Sequence, residues 1–155
     1  QVCLDEAIKG DYDYMLHLET DIFPPHNVLH QLMSHNKRIT CGLYHIFDGA
    51  YREPMLRLIE AKNQGYMRAY GIHHEQSRYL DGSLLQVYSG ALGCCLIRKD
   101  VFSEIKFRAV VGEKQHPDTW FANDMYEKEI PIYVDTKTLC DHHSKSWGTF
   151  NLNFK

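Results

Sequence analysis

The chain has 155 residues, 44% of them hydrophobic, which is enough apolar material to fill the core of one ordinary domain. Its 17 basic and 20 acidic residues leave a formal charge of −3 with no block of like charge, which excludes the electrostatic footprint of a nucleic-acid or anionic-membrane binder. Five cysteines lack CxxC spacing, and neither a signal-peptide pattern nor an apolar run near the roughly 20 residues of a membrane span is present. A cytoplasmic, reducing setting is therefore expected, with no zinc knot or disulfide frame.

Residues 2–10 read as the second half of a helix stopped by Gly10, and with Gln1 in place of a methionine this points to an excerpt truncated at its N-terminus. Residues 13–18 read as a strand. Residues 25–34 read as a helix with Pro25 at its start and Val28, Leu29, Leu32 and Met33 at helical spacing; residues 38–44 read as a second strand. Together they form a βαβ unit, which implies parallel pairing and a right-handed crossover. Residues 46–83 carry Gly49, Pro54, Gly65, Gly71 and Gly82 among short β-like runs at 55–61 and 66–72, the pattern of a small antiparallel insertion. Residues 84–97 read as a strand broken by Gly90 and Gly93. A short helix at 99–105, a helix at 117–127, a strand at 131–134 and an extended segment at 139–143 complete the series. The expected fold is one α/β domain over 1–155, a mainly parallel sheet flanked by helices.

The chemistry concentrates at Glu19-Thr20-Asp21, where the apolar run Tyr14-Met15-Leu16-His17-Leu18 ends just ahead of Pro24-Pro25. A buried strand that delivers two carboxylates to its exit places them where open α/β sheets gather ligands, so the pair reads as a metal and phosphate site. Turn and helix-start carboxylates explain the same residues. Asp118, one residue after Pro117, is either a general base or a first-turn acid that complements the helix dipole; Asp124 is its substitute. His142 and His143 alternate faces, so one of them can turn toward the site. Cys94 and Cys95 read as small core residues, and Trp120 and Phe121 as core, with Trp120 also able to stack on a sugar ring. Trp147 is a lid or packing residue.

In order along the chain, these segments resemble the GT-A glycosyltransferases, in particular the family 2-like nucleotide-sugar transferases. The segment Gly10-Asp11-Tyr12-Asp13-Tyr14-Met15-Leu16-His17-Leu18-Glu19-Thr20-Asp21 with Pro24-Pro25 looks like that family's strand leading into its Asp-x-Asp motif. Cys41-Gly42-Leu43-Tyr44 is similar to the strand after the next helix. Gly90-Ala91-Leu92-Gly93 and the residues to Phe102 look like its glycine-rich acceptor-side segment, and Asp118-Thr119-Trp120-Phe121 resembles its acidic helix start. Tyr133-Val134-Asp135-Thr136 and Cys140-Asp141-His142 end a match that runs from Asp5 to His143. The resemblance implies a GT-A-like, Rossmann-like fold and transfer of a sugar from a UDP- or GDP-sugar donor to a saccharide or other hydroxyl acceptor, with inversion. It further implies Mn²⁺ or Mg²⁺ on Glu19, Asp21 and His142, with Asp118 as base and with Gly90 and Gly93 admitting sugar or acceptor close to the backbone. Nitrogen ligation by His142 favours Mn²⁺.

Three departures accompany the match. Glu19 replaces the motif's first aspartate, Pro117 replaces the acid before Asp118, and the family's nucleotide-base pocket belongs to elements ahead of Gln1. Two alternatives follow from them. One is a catalytically incomplete remnant or interaction domain that associates, as a homo-oligomer for instance, through an exposed sheet edge. The other is a metal-dependent phosphoester hydrolase using Glu19, Asp21 and His142.

Overall fold

Leu4 and Ala7 recur one helical turn apart, and their burial holds helix α1 (Val2–Lys9) against the rest of the chain. The helix ends where the Gly10 amide donates back to Glu6 O at 2.9 Å. The left-handed residue after it is Asp11, with φ 51°; a Cβ at position 10 would displace the ring of Tyr12, which is exposed and free to turn aside. The computed structural model describes residues 2–47, 52–61, 67–72, 75–90, 92–108 and 116–143, so Gly49, Gly65 and Trp147 lie outside the described residues.

Strands β1 (Tyr14–Leu18) and β2 (Ile22–Phe23) bracket the acidic turn, and α2 (Val28–Ser34) and β3 (Ile39–Leu43) follow. Two antiparallel hairpins form the insertion: β4 (His45–Phe47) with β5 (Arg52–Pro54), and β6 (Leu58–Ala61) with β7 (Met67–Tyr70). Next come a short α3 (Gln76–Tyr79), β8 (Leu84–Val87), β9 (Cys94–Arg98), a 3₁₀ helix (Lys99–Glu104), α4 (Pro117–Glu127), β10 (Ile132–Leu139) and β11 (Asp141–His142). None of the helices among the described residues is long and apolar enough to cross a membrane.

The α/β class holds, but the expected mainly parallel pairing does not. The five-stranded sheet has the order β1-β9-β3-β10-β8, and only β3 and β10 pair in parallel; the other three pairings are antiparallel. β1 and β3 do run in the same direction, as the α2 crossover requires, because both oppose β9. They do not touch, because β9 occupies the slot between them. Its sequence explains why. Cys95 and Ile97 pack on one face of the sheet with Leu4, Phe121 and Met125, while Cys94 and Leu96 pack on the other with Val28, Leu32 and Tyr44. A strand apolar on both faces is stable only in the interior of a sheet covered on both sides. The segment read as one strand broken by glycines is thus two strands in separate slots, β8 at an edge and β9 inside.

Cys94 and Cys95 are core residues at 0% exposure. Cys140 joins them, a free cysteine whose thiol shares a hydrogen bond with that of Cys94; this pulls the Cys94 thiol below the usual range and, with burial, pushes that of Cys140 up. The two sulfurs meet over Gly42. A Cβ at position 42 would stand 2.9 Å from Cys140 Sγ, 3.2 Å from Cys94 Sγ and 3.3 Å from the Thr138 carbonyl oxygen. Gly42→Ala is therefore expected to destabilise the fold by about 1–3 kcal/mol in urea unfolding, as overpacking does. An unchanged midpoint would mean that the crossing of β3 by these two side chains is loose.

Candidate active site

The acidic motif is a tight turn, with the Ile22 amide donating to Glu19 O at 3.2 Å. It is pinned on both sides. The Glu19 amide donates to Gly93 O at 3.0 Å, and the His143 amide donates to Asp21 O at 2.8 Å. Because β11 pairs with β2, with His142 opposite Ile22, the last extended segment lies directly beside the turn.

That pairing brings His142 and Asp21 together, Nε2 to Oδ2 at 3.4 Å. The other ring nitrogen, Nδ1, lies 3.1 Å from His45 O. A carbonyl only accepts, so Nδ1 carries the hydrogen, and in the neutral ring the Nε2 lone pair faces the Asp21 carboxylate. Two acceptors face one another here, an arrangement satisfied by an imidazolium or by a cation between them. Donors that bind one divalent ion at about 2.0–2.2 Å sit roughly 3.0–3.5 Å apart, and a carbonyl behind the distal nitrogen is the usual support of a metal-bound imidazole. Tyr44 packs edge-on against the His142 ring, with centroids 5.1 Å apart. The expected triad is less complete. Among the described residues no three His, Cys, Asp or Glu side chains converge tightly enough to hold an ion by themselves. Asp21 and His142 are the pair that meets, and Glu19 stands aside from it.

Glu19 instead lines a hollow of about 370 Å³ together with Asp118, His17, His116 and Phe107. Asp118 enters it from the first turn of α4, half-buried, where its Oδ1 also accepts the Thr119 amide at 3.0 Å. Asp118 thus complements the helix start and also opens onto the hollow, where the base role given to it is geometrically accessible. Asp124 is excluded as its substitute, because Arg108 clamps both of its oxygens while lying over the Trp120 ring. A larger hollow, about 720 Å³ between β8 and the end of α4, holds none of these residues.

Partial burial is the main cause that pushes the Glu19 carboxyl above its ordinary range; His17 and His142 oppose it, and Asp21 and Asp118 reinforce it. A carboxyl that holds its proton more tightly folded than unfolded stabilises the fold fully below the ordinary carboxylate range. That contribution is lost as pH rises through the raised value. At neutral pH the uncompensated acid is thus a burden. Glu19→Gln is expected to stabilise the fold at pH 7 in the absence of metal, seen as a higher melting temperature, by less than about 1 kcal/mol because the side chain is open to solvent. Calorimetry at pH 7 and pH 4 checks this, and a gain that is equal at both would assign the effect to something other than charge.

The two glycines serve packing rather than ligand approach. A Cβ on Gly90, which is buried, would meet Cys41, Ile132 and Val134 atoms at 3.0–3.2 Å, so the core fills the space expected for a sugar. Gly93 is covered by Tyr44 and Ile22, with 2.8 Å from its would-be Cβ to the phenol oxygen. Tyr44, 4% exposed, bonds the Gly93 backbone, and burial foremost, then Glu19, pushes its phenol up. Tyr44, His17 and the His45 carbonyl are site components that sequence motifs did not announce. His17 bonds Leu92 O through Nδ1 at 2.7 Å, which turns its other nitrogen away from that carbonyl.

No family model matches the chain. No curated protein matches it either. Among solved structures it is similar to the crystal structure of A197 from STIV, with a TM-score of 0.58 and 16% identity over 92% of this chain and 64% of that one. The two share a fold. The chain spans less than two thirds of A197.

Proposed function

We propose that this chain carries the metal corner and acceptor side of a GT-A-like, inverting nucleotide-sugar transferase. The observation that carries the proposal is the Asp21–His142 pair, 3.4 Å apart, beside a hollow lined by Glu19 and Asp118. The order of the motifs from Glu19 to His142 supports it. Asp21 and His142 would hold Mn²⁺ or Mg²⁺, which would supply charge neutralisation for a diphosphate leaving group. Asp118 takes the proton of the acceptor hydroxyl as that oxygen attacks the anomeric carbon. The bond from that carbon to the diphosphate breaks, and its electron pair leaves with the nucleoside diphosphate. Glu19, carrying a second negative charge beside Asp21, strengthens the attraction for the cation at the edge of the hollow. His17 and Phe107 form the wall against which an acceptor ring would rest.

A second proposal, an interaction domain, draws on β1, which forms one edge of the sheet with the uncharged run Tyr14–Leu18 and no charged gatekeeper within it. Incubation of the protein with Mn²⁺, a panel of UDP- and GDP-sugars and simple glycoside acceptors separates these functions. Metal-dependent transfer supports the transferase. Nucleotide release with no need for acceptor identifies a hydrolase, and no donor turnover leaves the interaction domain.

A further inference from the structure

Between β10 and β3 the register breaks sharply. β3 advances one residue, from Gly42 to Leu43, while β10 advances four, from Asp135 to Leu139, so three residues, 136–138, are in excess. Such bulges re-aim the strand beyond them and often lie next to active sites. Three residues of strand correspond to about 10 Å, and an odd shift also exchanges the two faces. Without the excess, position 139 rather than 142 would arrive beside the Asp21 turn.

A buried polar knot holds the excess in place. Asp135 is 4% exposed and Thr138 0%. Asp135 Oδ2 accepts the Thr138 hydroxyl at 2.6 Å and lies 3.0 Å from His35 Nε2; Oδ1 accepts the Lys137 amide at 3.0 Å. Thr136 is anchored outward, its amide and hydroxyl both donating to Ser83 O at 3.1 and 2.8 Å. His35 caps the end of α2, and Gln31 of the same helix lies 3.1 Å from the Thr138 hydroxyl, so the knot ties the excess to the helix that follows the acidic turn. Burial alone would raise the Asp135 carboxyl, yet the hydrogen bonds from Thr138, His35 and Lys137 hold it below the ordinary range. A charged group this deep is retained only where its donors are all in place.

We propose that Asp135 is a positioning residue: through Thr138, Lys137 and His35 it fixes the three-residue excess that sets His142 opposite Asp21. The proposal rests on the role given to His142 above. It is tested on the whole chain with Asp135→Asn and, at the more exposed end of the knot, His35→Gln, so that a folding failure of the first leaves the second. The metal-free readout is nuclear magnetic resonance of His142: its ring tautomer and its proximity to Tyr44 and Ile22. Arg108→Gln, which breaks the unrelated Asp124 pair, is the control for general loss of stability. Loss of the Nδ1–H tautomer and of the Tyr44 contact in at least one knot variant, with the β1–β9 amide pattern intact and the control unchanged, is the expected result. Mn²⁺ affinity should fall in parallel by about 10–100-fold, as for other outer supports of a metal-binding histidine. An unchanged His142 environment in both variants overturns the proposal. If His142 moves while the parent chain binds no Mn²⁺, the positioning role stands and the metal function falls.

Discussion

Under the proposed transferase function, Asp118→Asn is expected to lower kcat for sugar transfer by about 10²–10⁴-fold, the usual contribution of a positioned general base, while donor affinity stays nearly unchanged. The asparagine keeps the size and the polar oxygen that accepts the Thr119 amide, so the start of α4 is retained. What it loses is the capacity to take a proton. Asp118 lines the hollow with Glu19, whereas the cation is assigned to the Asp21–His142 pair, which is why chemistry and binding should separate. Steady-state kinetics with saturating donor checks the first number, and calorimetric donor titration the second. A loss confined to KM would show that Asp118 binds acceptor rather than activating it.

Asp21→Asn has the other large expected effect: it weakens Mn²⁺ binding by at least about 100-fold, beyond what the outer supports of a metal ligand contribute, and removes metal-dependent donor binding with it. The charge matters more than the shape here. A neutral amide still accepts at its carbonyl oxygen, but a hard divalent cation facing a diphosphate draws its affinity from carboxylate charge. The same change relieves Glu19 of a neighbouring negative charge, so the variant should be no less stable than the parent chain without metal. A variant that unfolds, rather than one that folds and fails to bind, would make Asp21 a structural residue of the turn.

The local elements were legible where one physical signal dominated. Helix α4 begins at Pro117 and ends at Glu127 as the proline and the spacing of Phe121, Ala122 and Met125 require. The acidic turn was legible as carboxylates at the end of an apolar run, and Asp118 as an acid just after the proline that starts α4, whereas His142 entered only through the order of the motifs. Strand order was not, because the sequence of β9 states only that both its faces are buried; the slot it takes depends on partners some 50 to 80 residues away in the chain. Gly90 and Gly93 were visible as glycines but misassigned, since an absent side chain looks the same whether a ligand or Tyr44 fills its place. The excess at 136–138 was invisible for a related reason. Asp135, Thr136 and Thr138 look like ordinary strand and turn residues until His35, from another element, closes the knot around them.

The proposed metal corner depends on Asp21 and His142 sharing one divalent cation. The most direct measurement is Mn²⁺ titration followed by electron paramagnetic resonance, with and without a nucleoside diphosphate, on the parent chain and on His142→Gln. The expected result is one Mn²⁺ per chain, bound more tightly with the diphosphate present, carrying a nitrogen coupling that disappears in His142→Gln. Free Mn²⁺ alone at millimolar concentration with diphosphate present, or a bound ion whose spectrum His142→Gln leaves unchanged, would contradict it.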